Sequence, residues 1–85
     1  MTAWHVYILR CADGTLYTGI AADLVKRFAV HQHGRGAKYT RGRLPVKLVY
    51  KEPYRTKGKA LRREAEIKKL RKRQKEALIG CGATT

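Results

Sequence analysis

Acidic residues are scarce in this chain, cysteine is nearly absent, and no apolar run is long enough to cross a bilayer. Each shortage removes a class of protein. Two cysteines cannot build a disulfide framework, and Cys11, ending an expected strand, and Cys81, in a glycine-rich tail, are poorly placed to bridge. Neither has a second Cys or His at zinc-ligand spacing. Met1 to Leu9 is neither charged enough nor long enough to resemble a secretory signal, so the cytoplasm is the expected compartment. The shortage of acids matters most. Six Asp and Glu stand against twenty Lys and Arg, a formal net charge of +14. Such an imbalance costs a compact chain self-repulsion and points to a polyanionic partner, of which nucleic acid is the first candidate. No basic segment carries the large aromatic and Leu face that interfacial membrane helices use.

What is present is a periodic, foldable sequence of 85 residues, 44% hydrophobic against 31% charged, enough for one domain with a modest core. Residues 1–80 are expected to form that domain and 81–85 a frayed tail, with fraying from Gly80 onward. Trp4 to Cys11 is a β-branched and aromatic run, Asp13-Gly14 favours a tight turn, and Leu16 to Ile20 follows as a second strand. Alternation puts His5, Tyr7 and Leu9 on one face of the first strand and Val6 and Ile8 on the other. In the second strand Tyr17 and Gly19 share a face, so the hairpin can bring both tyrosines to one side. Asp23 is a candidate N-cap for a helix through about His33, closed by Gly34, with Leu24 and Phe28 as its apolar stripe. Arg27 and His31, four apart, flank that stripe at the edge of the core. Gly34 to Arg43 reads as a mobile basic loop or short helix around Tyr39. Val46 to Tyr50 supplies a third strand, entered at Pro45 and closed by Pro53.

From about Lys59 to Leu70 the pattern is helical. At about 100° per residue Glu64 falls beside Ala60 and Ile67, whereas Glu66 lies on the opposite half of the wheel. Continuing that helix would carry Arg71 into the apolar stripe, which predicts a break near Leu70 and a final short helix through Ile79.

Cutting a phosphodiester needs an activated water, positive charge on the phosphoryl oxygens and help for the leaving oxygen. Tyr7 and Tyr17 offer phenols, Arg27 and His31 polar groups at a core edge, and Glu64 the only acid expected to face inward. One carboxylate with waters and a substrate phosphate is a normal set of ligands for Mg²⁺. Singly these residues have ordinary structural explanations: a packing Tyr, a surface Arg, a paired Glu. For holding a backbone, Lys38, Arg41 and Arg43 in the loop and Arg63, Lys68 and Lys72 further on are the candidates.

Taken in order, His5-Val6-Tyr7, Tyr17-Thr18-Gly19, Arg27 with His31, and Glu64 in Ala60-Leu61-Arg62-Arg63-Glu64 resemble the motifs of the GIY-YIG nucleases. The similarity runs from about Trp4 to Leu70 and is nearest to the small, stand-alone bacterial branch. The resemblance implies an α+β fold, a small three-stranded antiparallel sheet flanked by helices, and a metal-dependent endonuclease hydrolysing DNA with Mg²⁺ or Mn²⁺. It implies that Glu64 holds the metal, Arg27 stabilises the transferring phosphate, Tyr7 acts as general base or positions the water, and Tyr17 hydrogen-bonds beside it. His31 is the alternative base, because an unperturbed imidazole titrates near 6.5. Three departures stand out: His5 replaces the leading Gly, Thr18 replaces the middle Ile, and the chain has no Asn where many members carry one. The alternative is a non-catalytic basic nucleic-acid-binding module, or an adaptor of a repair or ribosomal assembly.

Overall fold

A computed structural model describes residues 3–82, with side chains through residue 80. The expected hairpin forms from β1 (Trp4–Arg10) and β2 (Leu16–Ala21), and β3 (Lys47–Tyr54) lies on the other side of β1, giving the antiparallel order β2-β1-β3. The central strand is therefore paired along both edges and, with a helical layer on each face, Val6 to Leu9 are all buried. Tyr7 pairs with Gly19 and Leu9 with Tyr17, which fixes both tyrosines on one face as the alternation predicts. Gly14 takes the left-handed conformation at the turn (φ +84°) that Asp13-Gly14 leads one to expect.

The strand alternation separates two layers. Tyr7, Leu9 and Cys11 pack with Leu24, Phe28, Leu44 and Val46 beneath α1 (Leu24–Gln32) and α2 (Lys38–Arg41). Val6 and Ile8 pack on the other face with Ala60 and Ile67 of α3 (Lys57–Lys68) and Ile79 of α4 (Lys72–Gly82). Asp23 caps α1 by accepting from the Lys26 amide at 3.1 Å, and Gly34 turns the chain out at φ +74°. Thr56 caps α3 in the same way, accepting from the Lys59 amide at 3.2 Å. The predicted break falls at Lys69 to Arg71. There the Gln74 side chain accepts from the Arg71 amide at 2.9 Å and starts α4.

Two boundaries differ from expectation. Pro53 lies inside β3, opposite His5, because β3 is an edge strand and a residue without N–H is tolerated where no further strand seeks a partner. The shift in β3 register between Ile8 and Leu9 is a bulge that turns both Val49 and Tyr50 toward the α3 layer. At the other end α4 continues through Gly82, past the expected onset of fraying; residues 83–85 of the expected tail lie outside the described residues. A forked ion pair, Arg10 donating to both oxygens of Glu76 at 2.7 and 2.6 Å, ties α4 to the end of β1.

Candidate active site

β1 presents Tyr7 to the α1 layer, and α1 presents His31 to the same spot. His31 is wholly buried, deeper than the core edge where its position on the helix suggested, and its Nε2 lies 2.9 Å from the Tyr7 hydroxyl. Its Nδ1 lies 3.0 Å from Oγ1 of Thr40, also wholly buried, and Thr40 donates its single hydroxyl proton to the Ala37 carbonyl at 2.9 Å. That last bond sets the polarity of the chain. Thr40 must accept from His31 Nδ1–H, so in the neutral imidazole Nε2 is unprotonated and accepts from the Tyr7 hydroxyl. Burial, reinforced by the neighbouring Arg27 charge, pushes the His31 pKa down and favours that neutral ring.

Tyr7 is itself a neutral phenol. Burial raises its pKa; the guanidinium of Arg27 works in the opposite direction, while Tyr17 and the carboxylate of Glu64 add to the rise. These influences place Arg27 and Glu64 within electrostatic reach of the phenol. Glu64 stands on α3, the helix covering the face of the sheet opposite Tyr7, and its charge is the smallest of these influences on the phenol. Its side chain is 17% exposed and pairs with Lys68 at 3.5 Å, whereas that of Glu66 is 59% exposed, the contrast expected from the helical wheel.

Tyr17 completes an aromatic cluster, its ring centroid 6.4 Å from Tyr7 and 5.4 Å from His31. On its outer side Tyr39 stacks at 6.0 Å, and the Arg43 guanidinium covers Tyr39 at 4.2 Å. Two glycines make the close packing possible. A Cβ on Gly19 would lie 2.7 Å from the Tyr7 hydroxyl oxygen, which gives the glycine of the second motif a steric reason. A Cβ on buried Gly36 would run into the His31 ring, 2.7 Å from its Cγ, so the segment carrying Thr40 can close over the imidazole only as glycine there.

Sequence reading missed Gly36, Thr40 and Tyr39 as parts of this site, since the loop's basic residues dominated its pattern. It also missed a second sheltered acid. Glu52 on β3 is as covered as Glu64, and accepts from the Tyr50 and Tyr54 hydroxyls and from two nitrogens of Arg63. Burial first, then Glu52, pushes both phenols up to about 12. Arg63, a candidate for phosphate contact, is thus committed to Glu52 and to Glu66. Arg43 is bound to Asp13 and the Tyr39 carbonyl, and Lys68 to Glu64. Lys38, Arg41 and Lys72 are exposed, Arg41 anchored by one bond to the Gly36 carbonyl.

Comparison with known proteins gives the chain its family. Residues 3–77 match the GIY-YIG catalytic domain. The UPF0213 protein of Halobacterium salinarum is 54% identical over 75 residues, covering 88% of this chain and 97% of that protein. That of Staphylococcus saprophyticus is 50% identical over 82 residues, covering 96% and 100%. Among solved structures, the UPF0213 protein of Bacillus halodurans has a TM-score of 0.63 at 44% identity, over 95% of this chain and 86% of that one. The match over nearly the whole chain and the ordered motif residues lead to one assignment: the chain belongs to the GIY-YIG catalytic domain family, alongside the UPF0213 proteins.

Proposed function

We propose that the protein is a metal-dependent endonuclease that hydrolyses phosphodiester bonds in DNA, selective for structure or weakly for sequence. The observation that carries this reading is the polarised chain from Tyr7 through His31 to Thr40 beside Arg27. Because Tyr7 spends its proton on His31, the lone pairs of its oxygen are left to accept a proton from an attacking water. A phenol with a raised pKa is a poor phenolate, so the transfer is concerted. As the water gives its proton to the Tyr7 oxygen, the phenolic proton passes to His31 Nε2. The water oxygen bonds to phosphorus, the bond to the departing strand breaks, and the departing oxygen takes a proton from solvent. Arg27 meets the charge that develops on the phosphoryl oxygens. That same charge offsets the field of Arg27, which otherwise opposes an imidazolium at His31.

The donor set suits a hard divalent ion. Among the described residues no group of three or more His, Cys, Asp or Glu could hold a metal. Glu64 therefore offers a single carboxylate, and Mg²⁺ or Mn²⁺ keeping most of its water matches a single carboxylate. Such an ion, held by Glu64, would supply Lewis-acid stabilisation of the phosphate. The test uses two acids of one helix. Glu64→Gln is expected to lower nicking of branched or single-stranded DNA about a hundredfold or more with binding retained, and Glu66→Gln to leave both unchanged. An EDTA control accompanies both. Equal cleavage by the two folded variants would overturn the metal-holding role of Glu64, and absence of cleavage in the wild-type protein would transfer it to the binding-module class, which the net charge of +14 also supports.

A further inference from the structure

Between the end of β2 and the first turns of α1 lies a cleft of about 400 Å³ that the proposed chemistry leaves unused. Its walls are apolar: the Trp4 indole, Ile20, Ala21 and Val30. Its rim is cationic, with Lys26 and Arg27 on α1, and Lys57 of α3 stands 5.5 Å from the centroid of the Trp4 ring. The acid at the rim, Asp23, is occupied in capping α1. A ligand that fits must combine a flat apolar body with adjoining negative charge. We propose that this cleft is a subsite for an unpaired nucleobase of single-stranded DNA, whose phosphates lie along Lys26, Arg27 and Lys57.

A cleft of this size lies in the range of roughly 300–1,000 Å³ in which small planar ligands are held. A base offers its faces only when unstacked, and aromatic and apolar walls then take it without reading its identity. In a duplex the bases are enclosed and the cleft has nothing to receive. Arg27 lines the cleft and also acts on Tyr7, so a nucleotide seated here is adjacent to the proposed cutting site. The subsite rests on the nuclease reading only in that last respect, and it deepens that reading by giving a reason for preference toward single strands, flaps or frayed ends.

Trp4 is the only tryptophan, so its emission reports on the cleft directly and without metal or cleavage. A short oligo-deoxythymidine should quench Trp4, whereas a strand of equal length made of abasic sites should bind through its phosphates without quenching. Ala22 lines the cleft but is exposed, and Ala22→Phe should fill it from the rim. That variant should lose about tenfold affinity for the base-bearing strand, the scale of one stacked base. Its affinity for the abasic strand and its melting temperature should not change. Equal quenching by the abasic strand or by blunt duplex would overturn the subsite, as would equal loss of affinity for both strands. Absence of cleavage in the wild-type protein, with the quenching pattern intact, would remove the nuclease reading and leave the subsite standing.

Discussion

Thr40 touches neither substrate nor metal in the proposed chemistry, yet its one hydroxyl proton decides which nitrogen of His31 faces Tyr7. Thr40→Val keeps the shape and removes the acceptor for Nδ1–H. Cleavage should fall by about tenfold to a hundredfold, within the span of general acid–base contributions, and its pH profile should move. Thr40→Ser should restore both, and a merely structural role would show in melting temperature without moving the profile. His31 also links stability to pH. In the unfolded chain it takes a proton as pH falls through about 6.5. In the folded chain burial and Arg27 hold the pKa lower. Between those two values the unfolded state binds more protons, so stability is full above about 6.5 and declines as pH drops through the folded value. Thermal melts between about pH 8 and pH 5 should show this decline, and His31→Gln should flatten it. A slope equal in both proteins would place its origin elsewhere.

At the scale of elements, β3 and α3 are joined by Glu52, which gathers Arg63, Tyr50 and Tyr54 on one carboxylate. Glu52→Gln leaves the partly sheltered Arg63 guanidinium with only the exposed Glu66 as its anion and should cost about 1–3 kcal/mol in denaturant unfolding. Glu66→Gln, on an exposed side chain, should stay within about 0.5 kcal/mol. This junction also marks the limit of what could be read in advance. The paired tyrosines, the capped α1, the inward turn of Glu64 and the break before α4 were legible because each follows from a local period or a local cap. Pro53 read as a strand end because its neighbourhood, an edge with no further strand, is a tertiary fact. Glu52 looked like an ordinary exposed acid, since Tyr50 and Tyr54, two residues to either side, become its partners only in a cluster closed by Arg63, eleven residues on and on another element. Gly36 and Thr40 were hidden for the same reason: their meaning is a contact with His31, and neither carries a periodic signal. The site was thus visible in its motif residues and invisible in the polar residues that hold them.

Across the whole molecule all six acids are engaged: Asp13 with Arg43, Asp23 as a cap, Glu52 and Glu66 with Arg63, Glu64 with Lys68, and Glu76 with Arg10. Among the described residues no acid is left over for the remaining cations, so log affinity for DNA should fall linearly with log salt. Replacing exposed Lys38 or Lys72 by Gln should reduce that slope by about one each. Arg63→Gln should instead alter stability and leave the slope in place, because its guanidinium already serves Glu52. The sheet has a bearing on a different hazard. Its order leaves β2 and β3 with free margins, and such margins invite a second chain to add a strand. On β3 the invitation is blunted by Pro53, which has no amide to offer, and by exposed Lys47 and Lys51. In the DNA binding proposed above, neutralising the long-range repulsion between copies would let them crowd together along one strand. At that moment Pro53 is a safeguard that salt and polyanion cannot screen away, keeping neighbours on a shared strand from fusing sheet to sheet.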